Sequence, residues 1–220
     1  LGHPRVMAFS PATPPGTSRA RRHWVGGLQL LAVMVGLMWV LEIIDIALAG
    51  RLDLYGIRPW STDGLSGILF APFLHVGFGH LIANTVPLLV LGAMIALGGA
   101  LRLLLVTVTV GFVSGIGTWL TSPPSSVTIG ASGLVFGYAT YLIMRGIFNR
   151  SLAQLAVGAA VALFWGGALL GGLVPQAGIS WQGHLFGAVG GVVIAWLLAG
   201  ARNAGTPGSS GPSGSSWSSI

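Results

Sequence analysis

The residues of this chain that could carry out chemistry fall in three short, glycine-rich segments: residues 75–84, 130–137 and 181–187. Nucleophilic catalysis needs a hydroxyl, a base that takes its proton, and donors for the oxyanion that develops on the substrate. Ser132, in the second segment, offers the hydroxyl. His184, in the third, offers a base that titrates near neutral pH. These residue types predict a serine–histidine catalytic pair.

The first segment and the residues around Ser132 contain candidate oxyanion donors. His80 and Asn84 are four residues apart, so they share one face of a helix, and both side chains can donate hydrogen bonds. Ser132 is expected in the first turn of a helix, where backbone N–H groups are free and the dipole favours a nearby anion. All three residues could therefore stabilise a developing negative charge.

The glycines beside Ser132 and His184 provide a way to bring the two residues together. Gly133 and Gly137 form a ridge of small residues on one expected helix, and Gly183 and Gly187 begin a similar ridge on another. Helices with such ridges pack backbone to backbone in membranes. We therefore expect these glycines to form the helix contact beside the site.

Other catalytic classes fit the sequence less well. The chain contains no cysteine, which excludes thiolate metal sites and a cysteine nucleophile, and it lacks the His-Glu-x-x-His zinc motif. Its acids are Glu42, Asp45, Asp53 and Asp63, none of them near Ser132 or His184 in sequence. A Ser-His-Asp triad would require tertiary contacts from Asp45 or Asp53. The expected chemistry requires no metal or organic cofactor.

The elements that must position these residues are expected to be membrane-spanning helices. The 220 residues are 53% hydrophobic and 6% charged, with a mean hydropathy of +0.84, which excludes an ordinary soluble domain. A helix needs about 20 residues to cross roughly 30 Å of hydrocarbon. Apolar runs occupy residues 25–49, 81–101, 103–120, 132–144, 152–174 and 184–200. The fourth run is short unless it extends to about Phe148. These runs are continuous rather than alternating, so we predict an all-α integral membrane protein with six spans.

The ten arginines indicate how the spans are oriented. With six spans, eight arginines lie on one side, and only Arg51 and Arg58 lie on the other. The positive-inside rule then places both termini in the cytoplasm. We expect the protein in the inner (plasma) membrane. Because the arginines are scattered between apolar runs, we expect no nucleic-acid partner. Residues 1–23 are predicted to be a disordered cytoplasmic tail, 24–202 the six-span domain, and 203–220 a disordered Gly/Ser-rich tail.

Taken together, the three segments resemble the rhomboid intramembrane serine proteases. The patterns are His-x4-His-x3-Asn, Gly-Ala-Ser-Gly-x3-Gly and Gly-His-Leu-Phe-Gly, within a resemblance that covers about residues 28–200. It implies a six-helix bundle, a dyad of Ser132 and His184 without an acidic third member, and an oxyanion hole formed by His80, Asn84 and the Ser132 N–H. It also implies cleavage of transmembrane protein substrates near the extracytoplasmic side of the bilayer. The Trp-Arg signature of the family's first loop is absent, and Ile57-Arg58-Pro59-Trp60 stands there instead.

Two alternatives remain open on the sequence. The first is a catalytically inactive rhomboid-like protein that binds membrane clients, although both the serine and the histidine are present. The second is a small transporter, which would need ionisable groups across the bilayer, whereas the polar segments here gather on one side. The expected partners are transmembrane substrates and the lipid bilayer. The sequence does not indicate the oligomeric state.

Overall fold

The computed structural model describes residues 15–204, with side chains for residues 23–201. Within that range the chain forms six long helices and one helical turn. They are α1 (Pro15–Ala47), α2 (the single turn Gly67–Phe70), α3 (Gly77–Ala96), α4 (Ala100–Thr121), α5 (Ser132–Phe148), α6 (Leu152–Gly172) and α7 (Trp181–Ala204). Three short 3-10 turns lie between α1 and α3, at Leu52–Tyr55, Thr62–Leu65 and Ala71–Phe73.

Five of the helices are long and apolar enough to cross a membrane. They are His23–Ala47, Gly77–Ala96, Ala100–Thr121, Leu152–Gly172 and Trp181–Ala201. The remaining long helix, α5, has 17 residues, which at 1.5 Å per residue is roughly 26 Å. The predicted all-α membrane bundle is confirmed, and α5 extends to Phe148 beyond Arg145.

The short helix α5 lies at the centre of the bundle. It packs against α3, α4, α6 and α7, and its side chains Tyr138, Tyr141 and Leu142 are almost fully buried. These residues belong to one apolar core that also draws on α1, α3, α4 and α7. Because protein surrounds α5 rather than lipid, the thickness of the bilayer does not dictate its length.

Four helices begin before the predicted apolar runs, among them α4, which begins at Ala100 rather than at residue 103. Helix α3 begins at Gly77 rather than at residue 81, and α7 begins at Trp181 rather than at residue 184. The apolar-run criterion excluded the first turns of α3 and α7 because those turns carry glycine, histidine and glutamine. Helix α1 begins at Pro15, so it includes residues 15–23 of the predicted N-terminal tail. Residues 1–14 and 205–220 of the two predicted tails lie outside the described residues.

The segment between α1 and α3 is fixed to the bundle at several points. The Leu52 N–H donates to Asp45 Oδ1 at 2.6 Å, and the Trp119 indole donates to the Ser61 carbonyl at 2.9 Å. Asp45 therefore anchors this first loop. Asp53 lies near Asp45 and Glu42. Burial first, and then the negative charges of those two neighbours, raise the pKa of Asp53 to about 6.

Candidate active site

The structure brings the side chains of Ser132 and His184 together. Ser132 is the first residue of α5, and His184 lies in the first turn of α7. The distance from His184 Nε2 to Ser132 Oγ is 2.8 Å, although 52 residues separate the two positions. Helix packing is therefore what places an alcohol against an imidazole nitrogen at this site.

Glycines make the contact between α5 and α7 possible. A Cβ at Gly187 would lie 2.9 Å from the Gly133 carbonyl carbon and closer still to its oxygen. A Cβ at Gly191 would overlap the Gly137 carbonyl oxygen in the same way. Both pairs are backbone-to-backbone contacts, which cannot be relieved by rotating a side chain. The two helices can approach this closely only with glycine at positions 187 and 191.

Gly183 contributes to this packing differently from the other ridge glycines. Its carbonyl oxygen accepts a hydrogen bond from Ser114 of α4 at 2.8 Å. The same oxygen lies 3.2 Å from where a Cβ at Gly133 would be. The nearest atoms to a Cβ at Gly183 itself are side-chain oxygens of Ser180 and Thr118, at 3.2 and 3.3 Å. Gly183 therefore meets α5 through its carbonyl group.

Two further contacts fix the orientation of the His184 ring. The ring stacks on Phe136, with centroids 4.1 Å apart and planes 8° from parallel. Its Nδ1 lies 2.7 Å from the Gly172 carbonyl oxygen. A carbonyl oxygen can only accept, so Nδ1 carries the hydrogen and Nε2 is left to accept the Ser132 proton. The position that Asp45 or Asp53 could have taken in a triad is therefore occupied by a backbone carbonyl.

Sequence reasoning missed both of these contacts. Phe136 lies four residues after Ser132, on the same face of α5, so helical spacing could have pointed to it. Gly172 acts through its backbone, and a backbone carbonyl leaves no residue-type signal.

His80 and Asn84 of α3 line the same cavity as Ser132 and His184. The Asn84 amide donates one hydrogen to the His80 carbonyl at 3.0 Å, which leaves its second hydrogen for another acceptor. His80 Nδ1 lies 3.5 Å from the Val76 N–H, in a weak hydrogen bond. With Nδ1 accepting, Nε2 carries the ring hydrogen and can donate.

The segment before α5 is shaped around the two histidines of the first polar segment. Gly130 has φ +112°, and a Cβ there would lie 2.6 Å from His80 Cε1. His75 is 1% exposed, and its Nε2 accepts a hydrogen bond from the Ala131 N–H at 3.4 Å. Burial first, and then the nearby charge of His80, lower the pKa of His75 to about 4, so its imidazole is neutral at physiological pH. His75 thus holds the backbone that leads into Ser132.

The two predicted residue pairs share a cavity of about 1120 Å³. Two of its walls come from α3 and α6, and they carry His80, Ala83, Asn84 and Pro87 on one helix, and Trp165, Ala168, Leu169 and Gly172 on the other. No carboxylate lines this cavity in the described part of the chain. Across the same residues, no three His, Cys, Asp or Glu side chains come together to hold a metal ion.

Comparison with known proteins identifies the family. Residues 62–201 match the Rhomboid domain. The "Uncharacterized protein Rv1337" of Mycobacterium tuberculosis is 44% identical over 196 residues, covering 86% of this chain and 82% of that protein. "Rhomboid protease GluP" of Bacillus subtilis is 31% identical over 126 residues, covering 57% of this chain and 24% of GluP. "Rhomboid-like protein 11, chloroplastic" of Arabidopsis thaliana is 30% identical over 142 residues, covering 58% and 50%.

The domain match covers more than half of the chain and includes all three polar segments. The all-helical membrane bundle agrees with it. The chain therefore belongs to the rhomboid family.

Proposed function

We propose that this protein is an intramembrane serine endopeptidase that cleaves transmembrane segments of other membrane proteins. One observation carries the proposal: the 2.8 Å contact between Ser132 Oγ and His184 Nε2 at the wall of a cavity. Both residues lie within the first turn of their helices, which puts the reaction close to one end of the bundle. Water must reach Ser132 and His184 to complete hydrolysis, and the cavity that they line has room for it.

The proposed reaction follows from the roles that the contacts permit. His184 Nε2 removes the proton from Ser132 as Oγ attacks the scissile carbonyl, and the imidazolium then gives that proton to the leaving amine. A water molecule, deprotonated by the same nitrogen, hydrolyses the acyl-enzyme and restores the Ser132 hydroxyl. The dyad needs neither an acid nor a metal for these steps.

The oxyanion would be held by three donors near the nucleophile. The Ser132 N–H is one of the free N–H groups at the start of α5, where the helix dipole favours negative charge. His80 Nε2 and the second Asn84 N–H are the other two, and both residues line the cavity. Preorganised donors of this kind often supply the largest single contribution to acyl-transfer catalysis.

Part of the substrate would bind as an extended strand beside residues 127–129. Thr128 pairs with Ile57 through both its N–H and its C=O, at 3.0 and 2.9 Å. In an extended chain, successive residues present these groups to opposite edges. The backbone groups of Val127 and Ile129 thus point away from Ile57, and both residues line the cavity. A partly unwound substrate could pair with that free edge.

The cavity walls suggest how a substrate reaches the dyad. Since α3 and α6 form two walls, a transmembrane segment would enter from the lipid between these two helices. Residues 175–180, which precede α7, also line the cavity and would act as a cap. The arginine distribution supports an orientation in which this end of the bundle faces the extracytoplasmic side of the plasma membrane and both termini lie in the cytoplasm.

The test is cleavage of a model transmembrane substrate by the purified full chain in liposomes. We expect Ser132→Ala and His184→Ala to abolish cleavage. Ser125→Ala is the matched serine control, because Ser125 is exposed and does not line the cavity. His23→Gln is the histidine control, because His23 packs on Gly99 away from the cavity. Full turnover by either dyad variant would reject the assignment, and substrate binding without cleavage by the wild type would favour a client-binding protein.

The identity of the nucleophile and the orientation of the protein in the membrane can each be tested without a substrate. Labelling with a serine-directed fluorophosphonate, followed by mapping of the modified residue, should identify Ser132. Labelling of intact vesicles with an impermeant reagent at single cysteines introduced near each end would show which side holds the cavity.

A further inference from the structure

A backbone carbonyl occupies the place beside His184 where a serine-protease triad carries an aspartate. The Gly172 oxygen lies 2.7 Å from His184 Nδ1, and Gly172 is the last residue of α6. The last four carbonyls of an α-helix lack an N–H partner within the helix and carry its partial negative charge. A partly negative acceptor is therefore aimed at the nitrogen opposite the one that contacts Ser132.

We propose that Gly172 is a positioning residue, through which the C-terminal end of α6 fixes the tautomer of His184 and stabilises its imidazolium form. In a triad the aspartate does both. The Ser132 proton moves to Nε2, while the hydrogen on Nδ1 stays there throughout, so the Gly172 carbonyl never takes a proton. This inference rests on the proposed protease function, because it assigns a role in the same reaction.

The space around Gly172 explains why a glycine is needed there. A Cβ would lie 2.5 Å from Phe136 Cζ and 3.0 Å from His184 Nδ1, so it would press on the two stacked rings. In contrast, Gly171 is exposed, and a Cβ there would meet nothing within 4 Å. A Cβ at Gly166 or Gly167, earlier in α6, would likewise meet nothing within 4 Å. Among these four neighbouring glycines, only Gly172 is sterically constrained.

The rest of α6 packs mainly against α5 and leaves much of its surface exposed. Leu163, Phe164 and Leu170 are largely uncovered, as expected of side chains that face lipid. The hydrogen bond to Gly172 is thus a polar link between α6 and the catalytic machinery on α7. A shift of the C-terminal end of α6 would change the orientation of the base.

The kinetic test compares Gly172→Ala with Gly171→Ala, using a fluorogenic transmembrane peptide in liposomes. The added methyl group would push the His184 ring away from the Gly172 carbonyl. Because that carbonyl acts on the imidazolium rather than on bound substrate, we expect kcat of Gly172→Ala to fall by on the order of tenfold or more and KM to change by less than about twofold. Gly171→Ala should match the wild type. The proposal would be overturned by equal kcat values for the two variants, or by an effect of Gly172→Ala that is confined to a higher KM.

A spectroscopic test needs no substrate and no active variant. In ¹⁵N-histidine-labelled wild type, the His184 signals, assigned by difference from His184→Gln, should show hydrogen on Nδ1 and an unprotonated Nε2. Gly172→Ala should lose this pure tautomer, and Gly171→Ala should keep it. Hydrogen on Nε2 in the wild type would overturn the role of Gly172. A pure Nδ1–H form in a protein that cleaves no substrate would overturn the proposed function instead.

Discussion

Replacing Gly187 by alanine tests whether the Ser132–His184 contact depends on the close approach of α5 and α7. The new methyl carbon would lie 2.9 Å from the Gly133 carbonyl carbon and 3.0 Å from its Cα. Non-bonded carbon atoms prefer about 3.5–4.0 Å. The obstacle is backbone, so it cannot be relieved by a rotamer change, and the helices must separate at this level by roughly 1 Å.

The structure gives the size of the expected effect. Gly187 lies one helical turn after His184, and Gly133 directly follows Ser132. A separation of roughly 1 Å would lengthen the 2.8 Å Ser132–His184 contact beyond the range of a hydrogen bond. Misplacement on this scale can cost on the order of 10²-fold in rate. Overpacking of this kind costs about 1–3 kcal/mol of stability.

The assay combines cleavage of a transmembrane peptide, labelling by a serine-directed probe, and thermal unfolding in detergent. Gly200→Ala is the matched control on the same helix, because a Cβ there would meet nothing within 4 Å. We expect Gly187→Ala to remain folded, with cleavage and labelling both reduced by about two orders of magnitude. Wild-type cleavage by Gly187→Ala would refute the argument that backbone contact between the helices forms the dyad.

Three further predictions concern residues near the Ser132–His184 pair and in the first loop. Gly130→Ala should reduce kcat strongly, because its Cβ would displace His80, and it should also lower stability, because φ +112° is strained for alanine; cleavage kinetics beside thermal unfolding would check both effects. The folded-state pKa of Asp53, about 6, is above its ordinary 3.8, so its contribution to stability is full below about pH 3.8 and is lost as pH rises through about 6. Asp53→Asn should therefore raise the unfolding temperature more at about pH 7.5 than at about pH 4.5; an equal change at both would contradict this. The folded-state pKa of His75, about 4, is below its ordinary 6.5, so stability is full above about pH 6.5 and falls as pH drops through about 4. His75→Gln, which keeps an acceptor for the Ala131 N–H, should flatten that acid loss in the same unfolding assay.

The sequence predicted the helical membrane bundle because the apolar runs and the arginines between them can be read directly from the order of the residues. It also pointed to Ser132 and His184 as partners, since glycine spacing and residue chemistry converge on those positions. The two residues lie 2.8 Å apart. Their catalytic roles remain a prediction until the variants are assayed.

Other features could not be predicted, for physical reasons. The first turns of α3 and α7 carry polar residues and glycine, so an apolar-run criterion starts these helices late. The pairing of Ile57 with Thr128 is made by backbone groups alone, at positions 71 residues apart. The acceptor on His184 Nδ1 is also a backbone group, contributed by an otherwise apolar helix end. Backbone interactions between distant segments leave little trace in residue type.

Helix α6 takes part in two features of the site at once. It forms a wall of the cavity, and its last carbonyl group holds His184. If the protein cleaves transmembrane segments as proposed, a helical segment that displaced α6 on binding would also disturb the hydrogen bond that orients the His184 ring. Cleavage would then have to follow partial unwinding of the bound segment and the return of α6. Segments that stay helical would leave uncut, and the segments cleaved would be those that unwind easily.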